Sequence, residues 1–335
     1  MSVDSKRDAY YDNLRCILMF IVVLCHGLEQ FRSMSALIGG IHYNLLIFVM
    51  PLFVFISGFF AKSMGKADNP KRSRILNLFL LYFIVQLVKC TIAGSFTLIK
   101  PLYGNWYLIC LIIWYIILPL FSGFKAFAAV ALTVLLGLLI GFETGSLSIL
   151  QISRMVCFFP FFLLGYYLNN DHLNRLKNHF LWGLMGFIIC SILLYYLSKQ
   201  GLPLFMFHGA NNYSDMKLSP AVGVGFRALW YILAVFFCVS VLYMIPTKNN
   251  ALTVIGTRAL AVYIFHTCLY YFITKHTSLI SLLKEKADAN LLLIGLIVES
   301  FAVTILFGTA FFTKLINIVM NYDFSHFKQR QDPAG

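Results

Sequence analysis

Apolar residues fall in long runs separated by short polar segments. They show neither the strict alternation of a half-buried strand nor the single stripe of a soluble surface helix. The runs lie near 13–31, 43–61, 75–93, 106–121, 127–141, 148–168, 180–198, 221–245, 259–275 and 290–313. A helix rises about 1.5 Å per residue, so roughly 20 residues cross the apolar core of a bilayer. The pattern predicts an all-α, polytopic integral membrane protein of about ten transmembrane helices. The fourth and fifth runs are short and joined by Ser122-Gly123-Phe124-Lys125.

Composition narrows the class. Of 335 residues, 60% are hydrophobic and 12% charged, with a mean hydropathy of +0.81. Soluble domains have about 45–50% apolar and about 25% charged residues. A soluble enzyme, a disordered chain and a secreted disulfide scaffold are excluded. Ten spans fill the chain, so 1–335 is one membrane domain with spans over about 13–313 and short tails, 1–12 and 314–335. Any chemistry must be built from spans and loops. The Cys16–Cys25 run has the length of a signal-peptide core, but Arg15 before it and His26 after it suit a functional first span better.

The net charge of +13 comes from 26 Lys+Arg against 13 Asp+Glu. Assigning alternate loops to the two sides puts roughly twice as many cations on the N-terminal side, which predicts both termini cytoplasmic in a multi-pass cell-membrane protein. The bilayer is the expected partner. No basic run is interleaved with aromatics, so no nucleic acid is expected. The eight cysteines all lie in apolar stretches and form no C-x-x-C pair, so they read as buried hydrophobes, and no metal is expected.

Charged and imidazole groups inside a bilayer are costly, which makes each a candidate for function. Arg15 and His26 are eleven residues apart, about three turns plus 20°, so both project from one face of the first span. Their separation along the axis is about 16 Å. An anion held at Arg15 could extend an arm toward a base at His26; the alternative is a snorkelling arginine and an interfacial histidine. Arg154, Arg227, His266 and Glu299 could face the same cavity, or Arg227 could simply pair with Glu299. Lys89, one turn from a span end, is expected to snorkel. Met50-Pro51 through Ser57-Gly58 marks close approach by a helix or a ligand. Trp106-Tyr107 suits an interface in any membrane protein. Lys71, Arg72 and Arg74 form a basic loop that could hold phosphates or merely anchor the chain. The loop 199–220, with Phe205, Phe207, His208 and Tyr213, could stack on a sugar or lie on headgroups.

Tyr11-Asp12-Asn13-Leu14-Arg15, ten residues and then His26 resembles the Arg/Lys-x10-His signature of the membrane acyltransferase-three family. Met50-Pro51-Leu52-Phe53, Ser57-Gly58-Phe59, Asn105-Trp106-Tyr107-Leu108, Arg154 with Phe159-Pro160-Phe161, Arg227, and Tyr263-Ile264-Phe265-His266 follow in the order of its fucose 4-O-acetylase-like branch. Val49 stands where that branch often has His, and Lys71-x-x-Arg74 is a near match to an Arg-x-x-Arg loop. The resemblance implies an O-acetyltransferase that moves acetyl from cytoplasmic acetyl-CoA, its co-substrate, to a hydroxyl of an envelope or exopolysaccharide sugar. His26 would be the general base. Arg154 or Arg227 would stabilise the oxyanion or bind acceptor, and His266 would be a second base or orienting partner. Arg15, Lys71, Arg72 and Arg74 would hold the CoA phosphates, with Ser57 and Trp106 on the donor path. Ser57 as a nucleophile lacks an activating set. A transporter or flippase for an envelope precursor is the rival class, and it calls for repeat symmetry that the chain does not display. A sensing domain would need no base at His26. The oligomeric state stays open.

Overall fold

The computed structural model describes residues 8–65, 70–144 and 149–324. Among these the chain is helical, without a strand. The helices are α1 (Ala9–Phe31), α2 (Ala36–Phe59), α3 (Pro70–Ala93), α4 (Trp106–Phe121), α5 (Ala126–Leu139), α6 (Ile152–Tyr167), α7 (Asn170–Asn174), α8 (Phe180–Lys199), α9 (Pro220–Met244), α10 (Ala251–Gly256), α11 (Ala259–His276), α12 (Leu279–Lys286), α13 (Ala289–Phe307) and α14 (Ala310–Met320). A helix lies over each of the ten predicted segments. Seven of them (α1–α3, α6, α8, α9 and α13) are long and apolar enough to cross a membrane by length and composition. The chain is a multi-pass membrane protein.

The last predicted span, 290–313, is two helices. α13 stops at Phe307, Gly308 and Thr309 turn the chain, and α14 starts again at Ala310. Apolar residues continue across the break as Phe311 and Phe312, so hydropathy alone merges the two. α14 packs on α3 and α11, and Asn77 of α3 donates to the Met320 carbonyl at 2.6 Å.

α1 is the axis of the fold, touching α2, α10, α11 and α13. It begins at Ala9, four residues before the apolar run, capped by Asp8, whose carboxylate accepts from the Tyr10 amide. Its first turns are buried despite their polarity, because the α9–α10 connection satisfies them. Asn13 donates to the Pro246 and Lys248 carbonyls at 2.9 Å each and accepts from Thr253 at 2.7 Å. Tyr10 donates to the Leu242 carbonyl at 2.7 Å.

Without a hydrophobic drive between helices in lipid, close packing of small residues carries association. α2 and α6 meet this way. A Cβ at Gly58 would run into the Phe162 carbonyl, and one at Gly165 into that of Phe55. The Ser57-Gly58 approach expected from sequence is thus helix on helix. Pro51 inside α2 and Pro160 inside α6 each remove a backbone donor from these helices. α8 stands at the edge, packed on α9, with Trp182, Ile189, Ile192 and Tyr196 exposed on its outer side.

Lys89 does not snorkel. It is fully buried, and its ammonium donates to the Tyr103 carbonyl at 2.7 Å and to Thr267 at 3.0 Å. It ties the loop before α4 to α11.

Candidate functional site

One face of α1 carries Arg15, Leu18, Val22, Cys25, His26 and Glu29 at steps of three and four residues. These side chains line two cavities in succession. The smaller, about 290 Å³, is lined by Arg15, Leu18, Phe53, Ser57, Arg74, Tyr107, Tyr115, Thr257, Tyr263 and neighbours. The larger, about 610 Å³, holds Val22, His26, Glu29, Arg32, His42, Met50, Tyr103, Trp106, Arg154, His208 and Lys284. No residue lines both. The wall between them is thin. Val22, Met50 and Trp106 face the larger space, while Leu18, Phe53 and Tyr107, one to four positions away on the same helices, face the smaller.

Arg15 and His26 therefore share a face, as expected from their spacing, but stand on opposite sides of this wall. Arg15 is ion-paired with buried Asp12 at 2.9 Å and lies over the Phe60 ring at 4.2 Å. Arg74 joins it, 5.9 Å over Tyr115. Arg72 is exposed and outside the cavity, and the side chain of Lys71 lies outside the described residues. Ser57 donates to the Phe53 carbonyl at 3.0 Å. Its single proton is committed there, so in its contact with Tyr107 the phenol donates and Ser57 accepts. Ser57 is a wall component with no general base against it.

Across the wall, His26 faces His266, with ring centroids 5.4 Å apart. The His266 Nδ1 lies 2.7 Å from the Val262 carbonyl. A carbonyl only accepts, so Nδ1 carries the proton and Nε2 of the neutral ring is a lone pair. That Nε2, fully buried, and the His26 Nδ1 have no protein partner. Buried polar atoms without a partner cost about 1–3 kcal/mol each, and a group arriving with hydrogen-bonding capacity of its own relieves that cost. Arg154 lines the His26 cavity. Its Nε donates to the His208 carbonyl at 3.1 Å, and its guanidinium sits 5.0 Å over Trp106. The two Nη groups bond no protein atom among the described residues. Trp106 thus belongs with His26, away from the Arg15 cavity. Burial pushes the Tyr103 phenol above its usual range, so it stays protonated as a donor beside the cavity.

Arg227 lines neither cavity. It is fully buried and donates to the carbonyls of Gly137 at 3.3 Å and Asn211 at 2.6 Å, stacking 4.8 Å over Tyr213. It fastens the loop after α8 to α5. Glu299 is not its partner; the Glu299 carboxylate accepts from Tyr270 at 2.6 Å.

Two cavity residues, Glu29 and His42, are not among the candidates expected from the sequence. Glu29 follows His26 by one turn, a spacing that alone puts both on one face. His42 precedes the second apolar run by one residue, which made it look like a loop residue. His208, in the long loop after α8 that the sequence offered as a sugar-stacking segment, enters the cavity with Phe207.

The chain matches the model of a family described as an acyltransferase domain over residues 8–311. It belongs to the acyltransferase-3 family and is a membrane acyltransferase. That membership favours the enzyme over the transporter and the sensing domain. Comparison with curated proteins and with solved structures gives no significant match.

Proposed function

We propose that the protein is an O-acetyltransferase that receives acetyl-CoA at the Arg15 cavity and transfers acetyl to a sugar hydroxyl in the His26 cavity. The supporting observation is the division of one helix face: a cavity with two arginines on one side of a wall, and one with a histidine base on the other. A cavity of about 290 Å³ suits an arm more than a nucleotide. The phosphates therefore belong outside it, toward Arg72 and Lys71, with Arg15 and Arg74 at its lining. For reaction the acetyl end has to pass the wall at Tyr107 and Phe53 and enter the His26 cavity, the CoA arm remaining on the Arg15 side.

In the reaction, His26 takes the acceptor hydroxyl proton while the oxygen attacks the acetyl carbonyl. As the tetrahedral oxyanion collapses the C–S bond breaks, and the sulfur takes the proton from the His26 imidazolium and leaves as the CoA thiol, returning His26 to its neutral form. Arg154, with its two Nη groups unspent, is placed to stabilise the oxyanion. His266 holds the imidazole face of His26. The Ser57 proton is already committed, which favours direct transfer over an acyl-serine. The acceptor, on this reading, belongs to an envelope or exopolysaccharide glycan, as the fucose 4-O-acetylase-like resemblance suggests.

The test is consumption of radiolabelled acetyl-CoA by the purified protein, wild type against His26→Ala, with envelope extract as acceptor. The expected result is label in glycan for the wild type and none for the folded variant. A wild-type protein that neither binds nor consumes acetyl-CoA would falsify the proposal.

A further inference from the structure

His42 lies on α2 with Leu46, Val49 and Met50, at steps of four, seven and eight, and all four line the larger cavity. The residue is 1% exposed, yet neither ring nitrogen has a partner. A buried imidazole with both nitrogens unspent weakens the empty protein and is relieved by a ligand that both donates and accepts. Across from it stands His208, with ring centroids 6.2 Å apart. The His208 Nδ1 lies 3.1 Å from the Phe205 carbonyl and must carry a proton. Its Nε2 lies 3.3 Å from the Glu29 carboxylate, which Arg32 also approaches at 3.9 Å. Both His208 nitrogens are thereby engaged, and both contacts to Glu29 fall on its Oε1, leaving the second carboxylate oxygen, Oε2, outside them.

We propose that His42, with Glu29, forms a subsite for a second, non-reacting hydroxyl of the acceptor, so that the enzyme selects polyhydroxylated acceptors over simple alcohols. This rests on the acetyltransferase reading of the His26 cavity. His42 accepts from or donates to that hydroxyl, and Glu29, its Oε1 held by His208, accepts from the hydroxyl through Oε2. The reacting hydroxyl stays with His26, one turn from Glu29 on α1. His42 is thus a specificity residue with no part in the proton transfer.

The experiment uses the purified full-length protein, His42→Phe and His42→Gln. Melting is followed alone, with saturating acetyl-CoA, and with a panel of methyl hexosides and their singly deoxygenated analogues. His42→Phe fills the space without polar atoms, so without sugar it should melt at or above the wild type. Sugar should stabilise the wild type, stabilise His42→Gln less, and leave His42→Phe unmoved, with the acetyl-CoA shift equal in all three. In turnover, the acceptor KM of His42→Phe should rise about tenfold for a lost hydrogen bond, with kcat and the acetyl-CoA KM unchanged. The proposal is overturned if His42→Phe melts well below wild type, if sugar stabilises it as much as wild type, or if no hexoside shifts the wild type. Absence of any acetyl-CoA shift or turnover would sink the transfer reading alone, since the sugar comparison is read separately.

Discussion

Arg227 offers a sharp test of place against residue type. By type, a buried arginine in a membrane enzyme invites a catalytic role; by place, this one is a fastener. The informative change is Arg227→Lys, which keeps the charge and its burial but loses the planar fork. The guanidinium now serves two carbonyls, at 3.3 Å on Gly137 and 2.6 Å on Asn211, and stacks on Tyr213. Burial raises the Tyr213 phenol above its usual range, against the pull of the Arg227 charge, so the ring stays neutral and the cation has no anionic partner there. Hydrogen bonds to charged groups are worth about 1.5–3 kcal/mol each, and a desolvated cation–π contact about 2 kcal/mol. An ammonium can keep the shorter bond but not the longer one and the stacking, so a loss of up to about 3.5–5 kcal/mol is expected.

Asn211 is three residues beyond His208, so the same change loosens the loop that supplies Phe207 and His208 to the cavity. The expected result is a lower Tm and an acceptor KM raised a few-fold, with kcat of the folded fraction within about twofold. Losing an oxyanion donor instead costs about 10²–10³ in kcat. A variant with wild-type Tm and a kcat reduced a hundredfold would refute the placement argument and return Arg227 to the chemistry.

Other expectations follow from the same geometry. Gly58→Ala drives a methyl into the Phe162 carbonyl; overpacking of this kind costs about 1–3 kcal/mol, so expression and Tm should fall, with Gly165→Ala behaving alike. Ser57→Ala should keep most of the transfer activity, and a complete loss with intact Tm would revive an acyl-serine. Lys89→Met leaves the Tyr103 carbonyl and Thr267 without their donor, so proteolysis between α3 and α4 should speed up; an unchanged cleavage rate would count against that tie.

The apolar runs made the helices legible, because about 20 apolar residues in a row have few other uses. The α1 face was legible too, since helical period alone aligns Arg15 with His26. What lies opposite a face is not written in its period. The wall that splits the face comes from Phe53, Tyr107 and Tyr263 on three other helices, joined only by tertiary packing. His42 and Glu29 fell at the edges of apolar runs, where a polar residue looks interfacial. The break after Phe307 vanished because Phe311 and Phe312 keep the run apolar.

The intramembrane cations separate on one criterion, which is where their donors are spent. Lys89 spends its ammonium on a carbonyl and a hydroxyl; Arg227 spends both Nη groups on carbonyls and stacks on a ring, and the Nε it leaves without a partner lines neither cavity. Both are stitched to backbone that folding alone must satisfy. Arg154 spends only Nε, on the His208 carbonyl, and leaves its Nη groups to a cavity of about 610 Å³ that also contains His26. A cation that protein atoms leave partly unsatisfied in a low-dielectric site gains most from an anion that arrives or develops there. Arg154 and Arg227 are the same residue type at the same position within the predicted runs 148–168 and 221–245, so the sequence ranks them equally. Donors left facing a cavity, which Arg227 lacks, are the ground on which the proposed chemistry is given to Arg154.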